Sequence, residues 1–131
     1  MERIPILKMG RFLLVTIQVD MHDRLAMALQ DDLMEQIRRH KAEGVLIDIT
    51  GVPTVDTLVA QHLLKTVAAA RLMGADCIIS GIRPQIAQTI VHLGVDLGDV
   101  TTKATLADAF ALALKRQGLT VAKASAVTPQ S

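Results

Sequence analysis

Apolar and polar residues along this chain follow two different periods, and the switches between them mark its elements. Residues 4–8 and 12–19 are dense in aliphatic side chains, with Leu13, Leu14, Val15 and Ile17 at the centre and Met9, Gly10 and Arg11 between the two runs. That predicts two extended segments joined as a hairpin. From Leu25 the spacing changes: Leu25, Leu29, Leu33 and Ile37 recur every four residues, while Asp31, Asp32, Glu35, Arg38 and Arg39 take the other side. This is an amphipathic helix with one face on a sheet and one in water, and Asp20 or Asp23 is placed to cap it. Gly44 is positioned for a left-handed turn after the helix, and residues 45–49 read as an interior parallel strand.

Residues 57–73 predict a second helix in which only Lys65 and Arg71 are charged, so it should be covered on more than one side, by the core and by another subunit. Gly74 ends it. Residues 76–80 supply another strand, and Gly81 with Pro84 turns the chain into a third helix over 84–93. After Gly94, residues 100–103 predict a short edge strand. Thr105 can cap a last helix that carries Leu106, Ala109, Phe110, Ala113 and Leu114 on one face and stops at Gly118.

A hairpin followed by alternating helices and strands predicts an α/β domain. Its sheet is mixed and mainly parallel, with right-handed crossovers, an N-terminal hairpin and about four helices. Residues 1–118 form this one domain. Residues 119–131 are rich in Ala, Ser, Thr, Pro and Gln without a sustained apolar period, and are expected to be a disordered tail. In such sheets the functional loops gather at the carboxyl ends of the strands, and the loop at residues 50–56 is one of these.

Composition removes several classes of function. Hydrophobic residues make up 50% of the 131 but aromatics only 2%, so the core is aliphatic and no base-stacking platform for nucleic acid is available. Fourteen basic against thirteen acidic residues leave a net charge of +1, too small to steer a polyanion. The single cysteine, Cys77, cannot form an internal disulfide, and no apolar run reaches the roughly 20 residues a membrane span needs. A cytoplasmic protein that touches neither membrane nor nucleic acid is the expectation.

Little in the chain resembles catalytic machinery. His22, His40, His62 and His92 are scattered, with no Cys at zinc-ligand spacing, so no metal site is expected and each should lie on the surface or at a helix end. The eight glycines stand singly, which argues against a phosphate-cradling loop. Cys77, inside a predicted strand, should behave as a small apolar residue. Asp48 stands in an apolar run, and a carboxylate there should bond to amides of the loop beyond it. A hydrolase using Asp48 or Asp56 as base would lack a nucleophile and an oxyanion site.

The pair Asp56 and Thr57 opens the second helix. Its simplest role is an N-cap worth about 1 kcal/mol. The same place suits a phosphoacceptor, because a helix start carries unpaired N–H groups and partial positive charge. Phosphate there would add nearly two negative charges beside Asp56 and weaken a docked partner.

The stretch Leu46-Ile-Asp-Ile-Thr-Gly-Val-Pro-Thr-Val-Asp-Thr57, the Ala-rich helix after it, Gly74-Ala75 and Gly81-Ile-Arg-Pro-Gln-Ile-Ala-Gln-Thr-Ile90 together resemble the STAS domain of stressosome proteins, relatives of the anti-sigma factor antagonists. The resemblance covers residues 4–116. With no sensory domain ahead of it, the opening resembles the small stand-alone RsbS type, while residues 48–97 resemble the sensor-bearing RsbR-like paralogues as much. It implies a non-catalytic scaffold without cofactor. Together with RsbR-like paralogues, the scaffold would build a hollow cytoplasmic assembly, hold an RsbT-type serine/threonine kinase, and release it on phosphorylation. The residue matching the phosphoacceptor is Thr57, where Ser is frequent in the small scaffold. Thr89 matches a second phosphorylated threonine of the paralogues, and Asp20 an acidic residue of the partner-binding surface that Asp56 and Thr57 would share. A module for a nucleotide or lipid in the strand-end crevice is the alternative.

Overall fold

The computed structural model describes residues 3–53, 55–94 and 100–118; the predicted tail at 119–131 lies outside them. Nine elements follow in chain order: β1 (Ile6–Met9), β2 (Phe12–Thr16), α1 (Asp23–His40), β3 (Gly44–Asp48), α2 (Thr57–Leu72), β4 (Asp76–Ser80), α3 (Pro84–His92), β5 (Thr101–Lys103) and α4 (Leu106–Arg116). The strands form one sheet in the order β1-β2-β3-β4-β5. β1 runs antiparallel to β2, and the other three pairings are parallel. The predicted fold class is the observed one.

Alternation along the strands decides which side each helix covers. Val15, Ile47 and Ile79 point to one face, where Leu25, Leu29, Leu33 and Ile37 of α1, Leu63 and Val67 of α2, and Ile86 and Ile90 of α3 close the main core. Phe12, Leu46 and Ile78 point to the other face and meet Ala109 and Ala113 of α4. Phe110 adds an edge-on ring contact to Phe12 at 5.7 Å. α1 and α3 pack on either side of α2 with the sheet beneath, which covers Ala60, Leu63, Val67 and Ala70, while Leu58 and Leu72 stay exposed, so the chain alone covers only part of its apolar surface.

Several local expectations are corrected. β1 begins at Ile6 rather than at residue 4, and Met9 pairs with Phe12, so the hairpin loop is only Gly10-Arg11, with Gly10 at φ +62°. The cap of α1 is neither Asp20 nor Asp23: His22 is the N-cap, its Nδ1 accepting the Leu25 N–H at 3.2 Å, and Asp23 is the first helical residue. An unprotonated imidazole nitrogen can do the work usually given to a carboxylate. Gly44 does not take the left-handed position. Because α1 runs through His40, that position falls at once on Lys41 (φ +51°), and Gly44 is already the first residue of β3, opposite Phe12.

Candidate functional site

β3 ends at Asp48, and the loop that follows is fastened from three directions before it reaches α2. Asp48 is buried, and its Oδ1 accepts the hydroxyls of Thr50 and Ser80, each at 2.7 Å. Its partners are therefore hydroxyls, the second from the neighbouring strand, rather than the loop amides expected; two O–H donors offset the cost of burying the carboxylate. Arg83 reaches back from the start of α3 and donates to the Thr50 carbonyl at 3.1 Å and the Val52 carbonyl at 2.5 Å. Val52 turns its side chain into the core. Gly81 closes the third side: at φ +84°, a Cβ there would lie 2.2 Å from the Thr50 hydroxyl oxygen, so only glycine lets β4 approach the loop this closely.

The loop delivers Asp56 as the N-cap of α2, with Oδ1 accepting the Val59 N–H at 2.9 Å. Thr57 is the next residue, the first of the helix, and it is exposed. Since Asp56 does the capping, the Thr57 hydroxyl takes no hydrogen-bond partner among the described residues. Adjacent in sequence, the two side chains open onto different grooves. Asp56 lines one between α1 and α2 with His22, Asp23, Leu58 and His62. Thr57 lines one between α2 and α3 with Gln85, Gln88, Thr89 and His92.

The first groove is charged. His62 Nε2 and Asp23 Oδ1 lie 2.8 Å apart and tie α2 to α1, so His62, in mid-helix at the wall of a surface groove, makes an inter-helix contact. The second is polar but holds no carboxylate among its lining residues. Thr89 is half-buried and donates its hydroxyl to the Gln85 carbonyl at 3.2 Å. His92 Nδ1 is 2.8 Å from the Gln88 carbonyl, and because a carbonyl only accepts, the ring carries its proton on Nδ1. Asp20 is exposed on the β2–α1 loop, one residue before Met21 of the first groove.

Other candidates fall away from this corner. A cavity of about 200 Å³ lies between α4 and the sheet, lined by Phe12, Gly44, Leu46, Ile78, Ala113 and Gln117 among others. These residues include the first ones of β2 and β3, so the cavity is at the end of the sheet opposite Thr57 and is not the strand-end crevice expected for a small ligand. Burial pushes the Cys77 thiol up to about 12, which leaves it protonated and a poor nucleophile at neutral pH. Among the described residues no group of three or more His, Cys, Asp or Glu is placed to hold a metal ion, and no helix is long and apolar enough to cross a membrane.

Sequence reasoning missed Arg83. Its one signal was its type and place: it stands at the N-cap of α3, immediately before Pro84, where a capping Ser, Thr, Asp or Asn is usual, and it makes no side-chain cap bond. A long cation at a position that calls for a short acceptor is a sign that the side chain is engaged elsewhere.

Comparison with known proteins places this geometry. The STAS domain matches residues 3–109. The RsbT co-antagonist protein RsbRA of Bacillus subtilis (strain 168) is 50% identical over 90 residues, covering 69% of this chain and 33% of that protein. RsbRD of the same organism is 43% identical over 94 residues, covering 72% and 33%. The chain thus spans about a third of the length of the curated relatives it matches. Among solved structures, the serine-to-glutamate variant of Moorella thermoacetica RsbS superposes with a TM-score of 0.76 at 28% identity, over 88% of this chain and 97% of that one. A chain of the structure described as the molecular architecture of the stressosome gives 0.70 at 26%, over 87% and 98%. The resemblance to both subtypes is therefore real, and sequence identity is higher to these co-antagonist proteins than to the RsbS variant.

Proposed function

The chain belongs to the STAS-domain family and is homologous to the RsbR co-antagonist proteins, and from that premise we propose that it is a non-catalytic scaffold of a stressosome-type assembly. In this reading it docks an RsbT-type serine/threonine kinase at the start of α2 and lets it go when Thr57 is phosphorylated. The observation that carries the reading is the Thr57 hydroxyl: exposed, free of hydrogen bonds among the described residues, and at a helix start that follows a loop held by Asp48 and Arg83. A kinase needs an accessible hydroxyl, and a switch needs that hydroxyl in a defined place.

Asp20 and Asp56 supply acidic groups to the docking surface, with the exposed Leu58 as its apolar contact. Thr89 is the second acceptor. Other STAS chains of the RsbR type complete the assembly, which engages its partner through affinity without turnover. Incubation with an RsbT-type kinase and ATP, followed by mass spectrometry, is expected to place phosphate on Thr57; an unmodified Thr57 defeats the proposal. In a pull-down, Thr57→Ala is expected to keep the kinase and Thr57→Asp to weaken capture on the order of tenfold, since a carboxylate brings part of a phosphate's charge. Equal capture by both variants would break the switch.

A further inference from the structure

Between α4 and the sheet, at the end opposite Thr57, lies the cavity of about 200 Å³. Its floor is apolar, made of Phe12, Leu46, Ile78 and Ala113. Across the strands Phe12, Gly44 and Asp76 stand in register, so the middle of that row carries no side chain. Backbone geometry does not demand the glycine: its φ is not positive, and an added Cβ would meet Phe12 and Asp76 only at 3.6 Å, an ordinary contact. A glycine in a strand weakens it and often marks a place where a ligand comes close to the backbone.

One lining residue has an unmet hydrogen bond. Gln117 Oε1 accepts the Arg11 N–H at 2.8 Å, and because a backbone N–H needs an acceptor, the amide cannot be turned round. Its Nε2 is then, among the described residues, the one buried side-chain nitrogen or oxygen without a partner. A buried N–H left unpaired is destabilising, so it calls for an acceptor. The lining carboxylates call for the opposite: Glu43 and Asp76 are acceptors, each in only a loose ion pair, with Arg11 at 3.6 Å and Arg116 at 3.9 Å. Arg116 also donates to the Thr101 hydroxyl at 2.7 Å, and with two carboxylates to one guanidinium among the lining side chains an anion is disfavoured. We propose that this cavity binds a compact, uncharged aromatic amide. The ring lies on the apolar floor, the carbonyl accepts from Gln117 Nε2, and the amide N–H donates to Glu43 or Asp76. An amide joins a strong acceptor to a donor and so answers both needs. The space suffices, since an apolar cavity of about 150 Å³ already takes up benzene. The site is separate from Thr57 and does not depend on its role.

Benzamide is the probe, titrated into the full chain while NMR follows methyl and side-chain amide signals. It is expected to bind with a Kd on the order of 1 mM, as suits so small a ligand, and to shift the methyls of Leu46, Ile78 and Ala113 together with the Gln117 amide. Benzoate keeps the ring but is an anion without an N–H, and is expected to bind about tenfold more weakly or worse. Gln117→Glu keeps an acceptor for the Arg11 N–H while deleting the donor, and is expected to weaken benzamide about tenfold. Gly44→Ala, whose added methyl makes only ordinary contacts, is expected to fold and to weaken benzamide by a similar factor. A Gln117 amide that does not shift, benzoate binding as well as benzamide, or unchanged affinity in either variant would overturn the proposal.

Discussion

On its α1 side the start of α2 looks onto His22, Asp23, Asp56 and His62; on its α3 side it looks onto Thr89, His92 and two glutamines. The first set is fixed by charge: a carboxylate caps the helix and a histidine–aspartate contact ties it to its neighbour. The second set is neutral apart from one imidazole, and the Thr57 hydroxyl on that side is unengaged among the described residues. A helix start usually presents its partial positive charge evenly around the first turn. Here Asp56 satisfies an amide on one flank while the Thr57 hydroxyl stands exposed on the other, so the cap and the hydroxyl face different sides of the same turn.

That division can be tested by breaking its parts in order of expected effect. Arg83→Ala removes both bonds to the loop and leaves the carbonyls of Thr50 and Val52 without that donor, so urea unfolding should show a loss of about 2–3 kcal/mol. A loss below about 1 kcal/mol would mean that the loop is held without it. Asp56→Ala should cost about 1 kcal/mol and speed hydrogen exchange at the Val59 amide while leaving the α3-side groove intact. If Thr89 chemistry changed as much as helix stability, the two flanks would not be independent. His62→Gln should cost about 0.5 kcal/mol, because Asp23 is well exposed and water screens the pair. Below pH 9 the smallest response is that of Cys77. With its thiol raised to about 12 by burial, a disulfide reagent at pH 8 should label it only as fast as the chain unfolds. In the unfolded chain the thiol ionises near its ordinary 9.0, so its contribution to stability is complete below that pH and is lost as pH climbs towards 12.

The run from β3 through α2 to β4 was legible because each element there has a single dominant signal. An unbroken aliphatic run made β3, a long stretch with two charges made α2, and Gly74 separated α2 from β4. The ends were less legible where two residues could do one job. His22 capped α1 in place of two nearby aspartates, and Lys41 took the left-handed turn assigned to Gly44. Propensity ranks such candidates but geometry picks one. At the site, local sequence marked Asp56 and Thr57 as a helix cap and its neighbour, while the choice of Thr57 as acceptor came from the family resemblance. The Arg83 bonds span 31 and 33 residues, and the shared groove of Thr57 and Thr89 exists only because α2 packs against α3. No local pattern encodes either.

The reach of Arg83 has a mechanical consequence. The guanidinium makes the β3–α2 segment and the start of α3 one body, although they belong to successive crossovers of the sheet. A force that tilts α3 is therefore passed through Arg83 to the loop that leads into Thr57.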